Sequence, residues 1–130
     1  MPTLQVRENN FEATVKQGIV LLDFWAAWCG PCRSFAPVFE AAAARHPDVV
    51  FGKVDVEAES ALAEAFQIQS IPSLMVLRDG ILLALQPGAI PAAALDEFIL
   101  KVKALDMTVV RRRVAMQEQA TAQAAAEGGV

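Results

Sequence analysis

Seven consecutive residues, Ile19-Val20-Leu21-Leu22-Asp23-Phe24-Trp25, are apolar but for one carboxylate. A strand of this kind has no wet face, so it belongs inside a sheet covered by helices on both sides, as in α/β proteins. Past its C-terminal end stands Trp28-Cys29-Gly30-Pro31-Cys32, and beyond that Phe35, Val38, Phe39 and Ala42 recur at helical spacing within a segment from Arg33 to Arg45. The two cysteines are the only ones in the chain. Residues i and i+3 share a helix face, so the two thiols can close or open a small disulfide ring with little backbone movement. Cys29 falls at the helix N-terminus, where unpaired N–H groups and the macrodipole stabilise a thiolate, which makes it the expected nucleophile. Pro31 suits the first helical turn because its missing N–H would have had no partner there, and Gly30 leaves the backbone beside the sulfur open to a second macromolecule.

The periodicity elsewhere extends this picture. Thr3 to Val6 reads as a short strand, followed by a helix capped by Asn9 or Asn10 that carries Phe11 and Val15 and ends at Gly18. Pro37 predicts a kink in the helix after the cysteines, and Pro47-Asp48 a turn. Val49 to Val56 reads as a second buried strand, and Ser60 as the cap of a short helix with Leu62, Ala65 and Phe66. Ser73 to Leu77 and Ile81 to Leu85 flank Arg78-Asp79-Gly80, a hairpin signal, so the sheet should be mixed. Pro91 opens a helix whose Leu95, Phe98, Ile99, Val102 and Leu105 form one apolar stripe. The order βαβαβαββα predicts an α/β fold with helices on both faces of a central mixed sheet.

At 130 residues, 55% hydrophobic and 20% charged, the chain has room for one real core. A net charge of -4 argues against nucleic acid or an anionic membrane as the main partner. The first residues, Met1 to Glu8, lack the basic and apolar regions of a leader, and no apolar run approaches a membrane span, so the expected location is cytoplasmic. In a reducing compartment a lone cysteine pair is catalytic or metal-binding rather than structural. Zinc requires four ligands, and the only histidine, His46, stands 14 residues beyond Cys32 along the helical segment, roughly 20 Å away. Redox chemistry without a metal or organic cofactor is therefore the reading, and His46 is expected to be a solvated loop residue.

Asp23-Phe24-Trp25-Ala26, Trp28-Cys29-Gly30-Pro31-Cys32, Pro37 and Ile71-Pro72, in that order, resemble the thioredoxin family over about Phe11 to Leu105. The resemblance implies the thioredoxin fold for residues 1–105, with 106–130 as a C-terminal extension, partly helical or disordered. That extension holds Arg111 to Arg113 and a Gln- and Ala-rich run, with Asp106 or Thr108 as candidate cap and no wide apolar stripe after Met116. The apolar neighbours of Asp23 predict a buried carboxyl that exchanges protons near neutrality. By resemblance it lies beneath Cys32, the resolving cysteine, as proton acceptor, with Lys53 as its electrostatic partner. Trp28 should offer an apolar contact surface. The resemblance further implies a cis Ile71–Pro72 bond facing the cysteines, Ile71 pairing with a substrate chain through its backbone, and Gly88 lining the groove. Arg33 adds positive charge beside the pair or faces solvent.

Two departures bear on partner choice. Ser70 precedes Ile71-Pro72 where glycine is frequent in the family, and Ile81 follows the turn where a polar residue is commoner. The expected activity is a general protein-disulfide reductase working by thiol–disulfide exchange on disulfide-containing client proteins, with electrons from an NADPH-dependent flavoprotein thioredoxin reductase. The competing readings are a disulfide isomerase or oxidase, which more often places a histidine between the cysteines, and a thioredoxin-like co-chaperone or complex subunit that uses the extension.

Overall fold

The computed structural model describes residues 2–128; residue 1 and residues 129–130, the outer ends of the two expected segments, lie outside the described residues. The elements run β1 (Thr3–Gln5), α1 (Glu8–Val15), β2 (Ile19–Trp25), α2 (Gly30–Arg45), β3 (Val50–Asp55), α3 (Ser60–Ala65), β4 (Ser73–Arg78), β5 (Ile81–Pro87), α4 (Ala92–Ala104) and α5 (Met107–Gly128). The sheet order is β1-β3-β2-β4-β5. Strands β1, β3 and β2 are parallel, whereas β4 runs antiparallel to β2 and to β5. The mixed sheet thus follows from one hairpin, whose Asp79 and Gly80 have φ of 54° and 80°, as a two-residue turn that matches strand twist demands.

Strand β2 is central and buried on both faces. Leu21 packs with Phe35, Phe39, Phe51, Leu95 and Ile99 under α2 and α4. Val20, Leu22 and Phe24 pack with Val54, Met75 and Val15 on the opposite face, under α1 and α3. Alternation along the strand therefore puts Asp23, like Leu21, on the α2 side. Gly52 permits this packing: a Cβ there would lie 2.6 Å from Val6 Cγ2 and 2.7 Å from Leu22 Cδ2.

Several local expectations need correction. Helix α2 starts at Gly30 rather than Arg33 because Cys29 itself is the N-cap, and it continues through Pro37 to Arg45. The N-cap of α1 is Arg7; Asn10 sits three residues on, where its side chain accepts the Arg7 N–H at 2.7 Å. That reverse contact explains why asparagine is useful there without being the cap. The N-cap of α3 is Glu59, one residue before Ser60, and no cap side chain bonds to that helix end. His46 is the C-cap of α2, and its Nε2 lies 2.8 Å from Asp96 Oδ1, so it joins α2 to α4 instead of floating in a loop. Arg45 donates to the same oxygen at 2.9 Å. Leu105, the last residue of the expected stripe, is the C-cap of α4 and partly exposed, while Leu95, Ile99 and Val102 are buried. Ile81 is half-buried on the edge strand.

The extension, for which composition left helix or disorder open, is helical over its described length. Asp106 accepts the Thr108 N–H at 3.0 Å, the bond of an N-cap aspartate. Met107 is buried, Val110 and Val114 are half-buried, and every described residue after Val114 is exposed. Arg78 fastens the joint from the hairpin side, donating to Val102 O at 2.8 Å and Leu105 O at 3.3 Å. Only the first turns of α5 therefore dock on the domain. Removing residues 115–130 should leave the urea-unfolding free energy within about 0.5 kcal/mol of the full chain. Removing 107–130, with Met107, should cost about 1–2 kcal/mol. Equal losses from both truncations would show that the outer helix packs as well.

Candidate active site

The end of β2 and the start of α2 bring the cysteines together. Cys29 and Cys32 are disulfide-bonded with Cα atoms 5.2 Å apart, as the i, i+3 spacing allows. Cys29 Sγ accepts the Cys32 N–H at 3.2 Å, so the sulfur occupies the place of an N-cap side chain. A negative charge on that sulfur would be stabilised by this donor and by the helix dipole. Both cysteines are nearly enclosed, whereas neighbouring Trp28 is 67% exposed and donates its indole N–H to the Glu57 carboxylate. Pro31 is exposed in the first turn. The Arg33 guanidinium donates to Ala27 O at 2.9 Å, folding back over the preceding loop.

The facing wall comes from the segment before β4. The Ile71–Pro72 peptide bond is cis, and Cys29 Sγ lies 3.7 Å from Ile71 O. Gly88 adopts φ +87°, a conformation costly to other residues, and donates its N–H to Pro72 O at 2.8 Å. A hollow of about 200 Å³ lies alongside, lined by Trp28, Val56, Ile68, Gln69, Ser70 and Ile71. Ser70 thus forms part of its wall. Trp28, Gly30 and Pro31 thus adjoin the pair along the chain and Ile71 faces it, while Pro72 and Gly88 are tied to each other next to Ile71.

Asp23 is fully buried, and neither carboxylate oxygen has a hydrogen-bond partner among the described residues. Desolvation pushes its pKa up to about 7; Lys53 opposes this and Glu40 adds to it. Lys53 stands level with Asp23 on the neighbouring parallel strand. Its ammonium, however, pairs with Glu40 Oε1 at 3.6 Å and lies 5.3 Å over the Trp25 ring. The expected Asp23–Lys53 partnership is thus an electrostatic proximity without a direct ion pair, because Glu40 offers a less buried carboxylate. Sequence reasoning missed Glu40, although Cys32, Ala36 and Glu40 follow one another at i+4 and so share a helix face. It also missed Thr3, whose hydroxyl is 3.1 Å from each Glu40 carboxylate oxygen. A cavity of about 110 Å³ lined by Trp25, Cys32, Arg33, Ala36 and Lys53 lies between the resolving cysteine and the lysine.

A buried, unpaired acid has a definite consequence for stability. Its folded pKa of about 7 lies above the ordinary 3.8, so between those values the native state holds more protons than the unfolded chain. Stability from this group is therefore full below the lower value, falls as pH rises toward the upper one, and stays low above it. The implied cost above pH 7 is on the order of 4 kcal/mol. Asp96 and Asp48, whose pKa values are lowered by hydrogen bonds from His46 and Lys103 respectively, contribute in the opposite sense on the acid side. Asp23→Ala should therefore be more stable than the wild type at pH 8, by about 1–3 kcal/mol after the loss of packing, and should gain much less at pH 4. Urea denaturation of both proteins across that range tests the sign; a variant less stable at pH 8 would contradict it.

Among the described residues no group of three or more histidine, cysteine, aspartate or glutamate side chains is placed to hold a metal ion, and no helix is long and apolar enough to cross a membrane. Comparison with known proteins agrees with the geometry. The thioredoxin family model matches residues 2–101. A putative thioredoxin 2 of Streptomyces coelicolor is 51% identical over 117 residues, covering 89% of this chain and 87% of its own. A thioredoxin of Bacillus subtilis is 37% identical over 78% of this chain and 98% of its own. Among solved structures, spinach chloroplast thioredoxin f (short form) superposes with a TM-score of 0.73 at 30% identity, covering 78% of this chain and 94% of that one. A mutant thioredoxin from Halobacterium salinarum gives a TM-score of 0.74 at 31% identity, covering 80% of this chain and 93% of that one. The co-chaperone alternative is not favoured by relatives of this kind together with a closed cysteine pair. Likeness of that extent, carried by an intact redox pair, means that the chain belongs to the thioredoxin family and is a protein-disulfide oxidoreductase acting on disulfide-bearing clients.

Proposed function

We propose that the chain is a general disulfide reductase in which Cys29 attacks and Cys32 resolves. The Cys29 thiolate attacks one sulfur of a client disulfide; the S–S bond breaks, one client thiolate leaves, and a mixed disulfide forms. Cys32 then passes its proton to the Asp23 carboxylate and attacks Cys29 Sγ. The second client thiolate departs, the Cys29–Cys32 disulfide closes, and two electrons have moved to the client. The observation that carries this assignment is the position of Cys29 Sγ as N-cap of α2, next to exposed Trp28 and 3.7 Å from Ile71 O. An extended client segment pairing with the Ile71 backbone would bring its disulfide to that sulfur, with Trp28, Gly30, Pro31, Pro72 and Gly88 forming the contact surface.

Lys53 acts in this scheme through its charge, moderating the proton affinity of Asp23. No bound cofactor takes part, and the disulfide formed in each cycle has to be reduced again. We assign that step to an NADPH-dependent flavoprotein thioredoxin reductase, and place the cycle in the cytoplasm, where such a reductant keeps thiols reduced. Residues 1–105 form the working domain and 106–130 an extension outside the chemistry.

The wild type should reduce insulin disulfides when supplied with dithiothreitol, and Cys29→Ser should abolish this. Cys32→Ser should instead accumulate clients as stable mixed disulfides on Cys29, since attack needs one thiol and release needs two. Mass spectrometry of captured adducts locates the bond; partners joined through Cys32 in the Cys29→Ser protein would reverse the assignment.

A further inference from the structure

Asp23 lies between β3 and β4, on the sheet face that α2 and α4 cover. On β3 the residue level with it is Lys53, and on β4 it is Leu74. Helix α2 brings Cys32 and, one and two turns on, Ala36 and Glu40. Helix α4 covers the remainder of that face with Leu95, Ile99 and Val102, while its Asp96 is engaged by Arg45 and His46. The charged groups acting on Asp23 are therefore Lys53 and Glu40, Cys32 being held in the disulfide.

Of the two carboxyl groups near Lys53, the ammonium is paired with the one on α2. Its side chain is 23% exposed, and Nζ sits 3.6 Å from Glu40 Oε1 and 5.3 Å from the Trp25 ring centroid. The Glu40 carboxylate is in turn held by the Thr3 hydroxyl of the edge strand, 3.1 Å from both of its oxygens. Asp23 meanwhile lacks any hydrogen-bond donor among the described residues. We infer that Glu40 is a positioning residue: it holds the Lys53 ammonium on the Trp25 side of the cavity, leaving the buried Asp23 carboxyl without a direct counter-charge. A lysine whose charge is balanced elsewhere cannot draw the proton off a carboxyl it would otherwise pair with. The opposing influences of Lys53 and Glu40 on Asp23 agree in direction with this arrangement.

The consequence concerns proton transfer. An aspartate paired directly with lysine would ionise in the ordinary carboxylate range or below and would be a poor base for a thiol at neutral pH. Keeping the ammonium on Glu40 leaves Asp23 with a proton affinity near that needed to accept and release the Cys32 proton. This last step rests on the reading of Asp23 as the acceptor; the positioning of Lys53 does not.

Carboxyl carbon NMR of Asp23 in the oxidised protein, followed through a pH titration, tests the inference without reference to turnover. In the wild type the midpoint should lie near 7. Glu40→Gln, nearly isosteric at a side chain 42% exposed, should lower the midpoint by about one pH unit, because Lys53 is released toward Asp23. In a Lys53→Met background the same substitution should lower it far less, since nothing remains to be released. No fall with Glu40→Gln, or an equal fall with and without Lys53, would overturn the inference; the second result would mean that Glu40 acts only by direct repulsion. Rates of mixed-disulfide resolution on these proteins separate the two ideas. A moved midpoint with an unmoved rate profile supports the positioning by Glu40 and removes Asp23 from the proton transfer.

Discussion

An acid buried without a hydrogen bond in the central strand is the constraint around which the rest of the molecule can be understood. Water would solvate Asp23 generously, and folding replaces that water with Leu21, Trp25, Leu74 and the underside of α2. The loss is tolerable because both faces of β2 carry continuous apolar packing, from Phe35, Phe39 and Phe51 on one side and Phe24, Val54 and Met75 on the other. A fold with a smaller core could not keep such a group in place. The same burial that lowers stability at neutral pH gives the carboxyl a pKa of about 7, the property that the proposed proton transfer uses. Stability and chemistry thus act on one residue in opposite directions.

The parallel pairing of β2 with β3 carries this constraint outward. Its register sets Lys53 level with Asp23 and Asp55 level with Trp25. The turn after Asp55 then presents Glu57, whose carboxylate accepts the Trp28 indole N–H beside the cysteines. On the other side of β2, antiparallel β4 begins at Ser73, directly after the cis Ile71–Pro72 bond. Three strand ends therefore converge on the N-terminus of α2. The ends of β2 and β3, and the start of β4, become a site because β4 reverses the sheet direction.

Much of this was legible in the order of residues, for identifiable reasons. The unbroken apolar run of β2, the spacing of Cys29 and Cys32, and Asp79-Gly80 between apolar runs are local signals, and local signals survive folding. Burial of Asp23 was legible because its own neighbours leave no wet side. What escaped depended on pairing between distant segments: Thr3 with Glu40, Glu40 with Lys53, and His46 with Asp96 are each created by packing α2 against the sheet or α4. The helix caps at Arg7 and Glu59 escaped for a different reason, since the residues with better capping side chains, Asn10 and Ser60, stand inside the first turn. For α5 docking, expected to lapse after Met116 for want of an apolar stripe, ends in the structure at Val114, while helicity follows from a cap at Asp106 and a run of strong helix formers.

Asp23 as the acceptor of the Cys32 proton, during release of the client, is the step on which the proposed chemistry turns. The direct measurement is single-turnover resolution of a preformed Cys29 mixed disulfide as a function of pH, in the wild type and in Asp23→Asn. The wild-type rate should fall on the acid side with a midpoint near the Asp23 value of about 7. The variant should be slower by about 10²-fold at neutrality and should recover as hydroxide replaces the missing base at alkaline pH. A variant that resolves at the wild-type rate with the same pH profile would contradict the account.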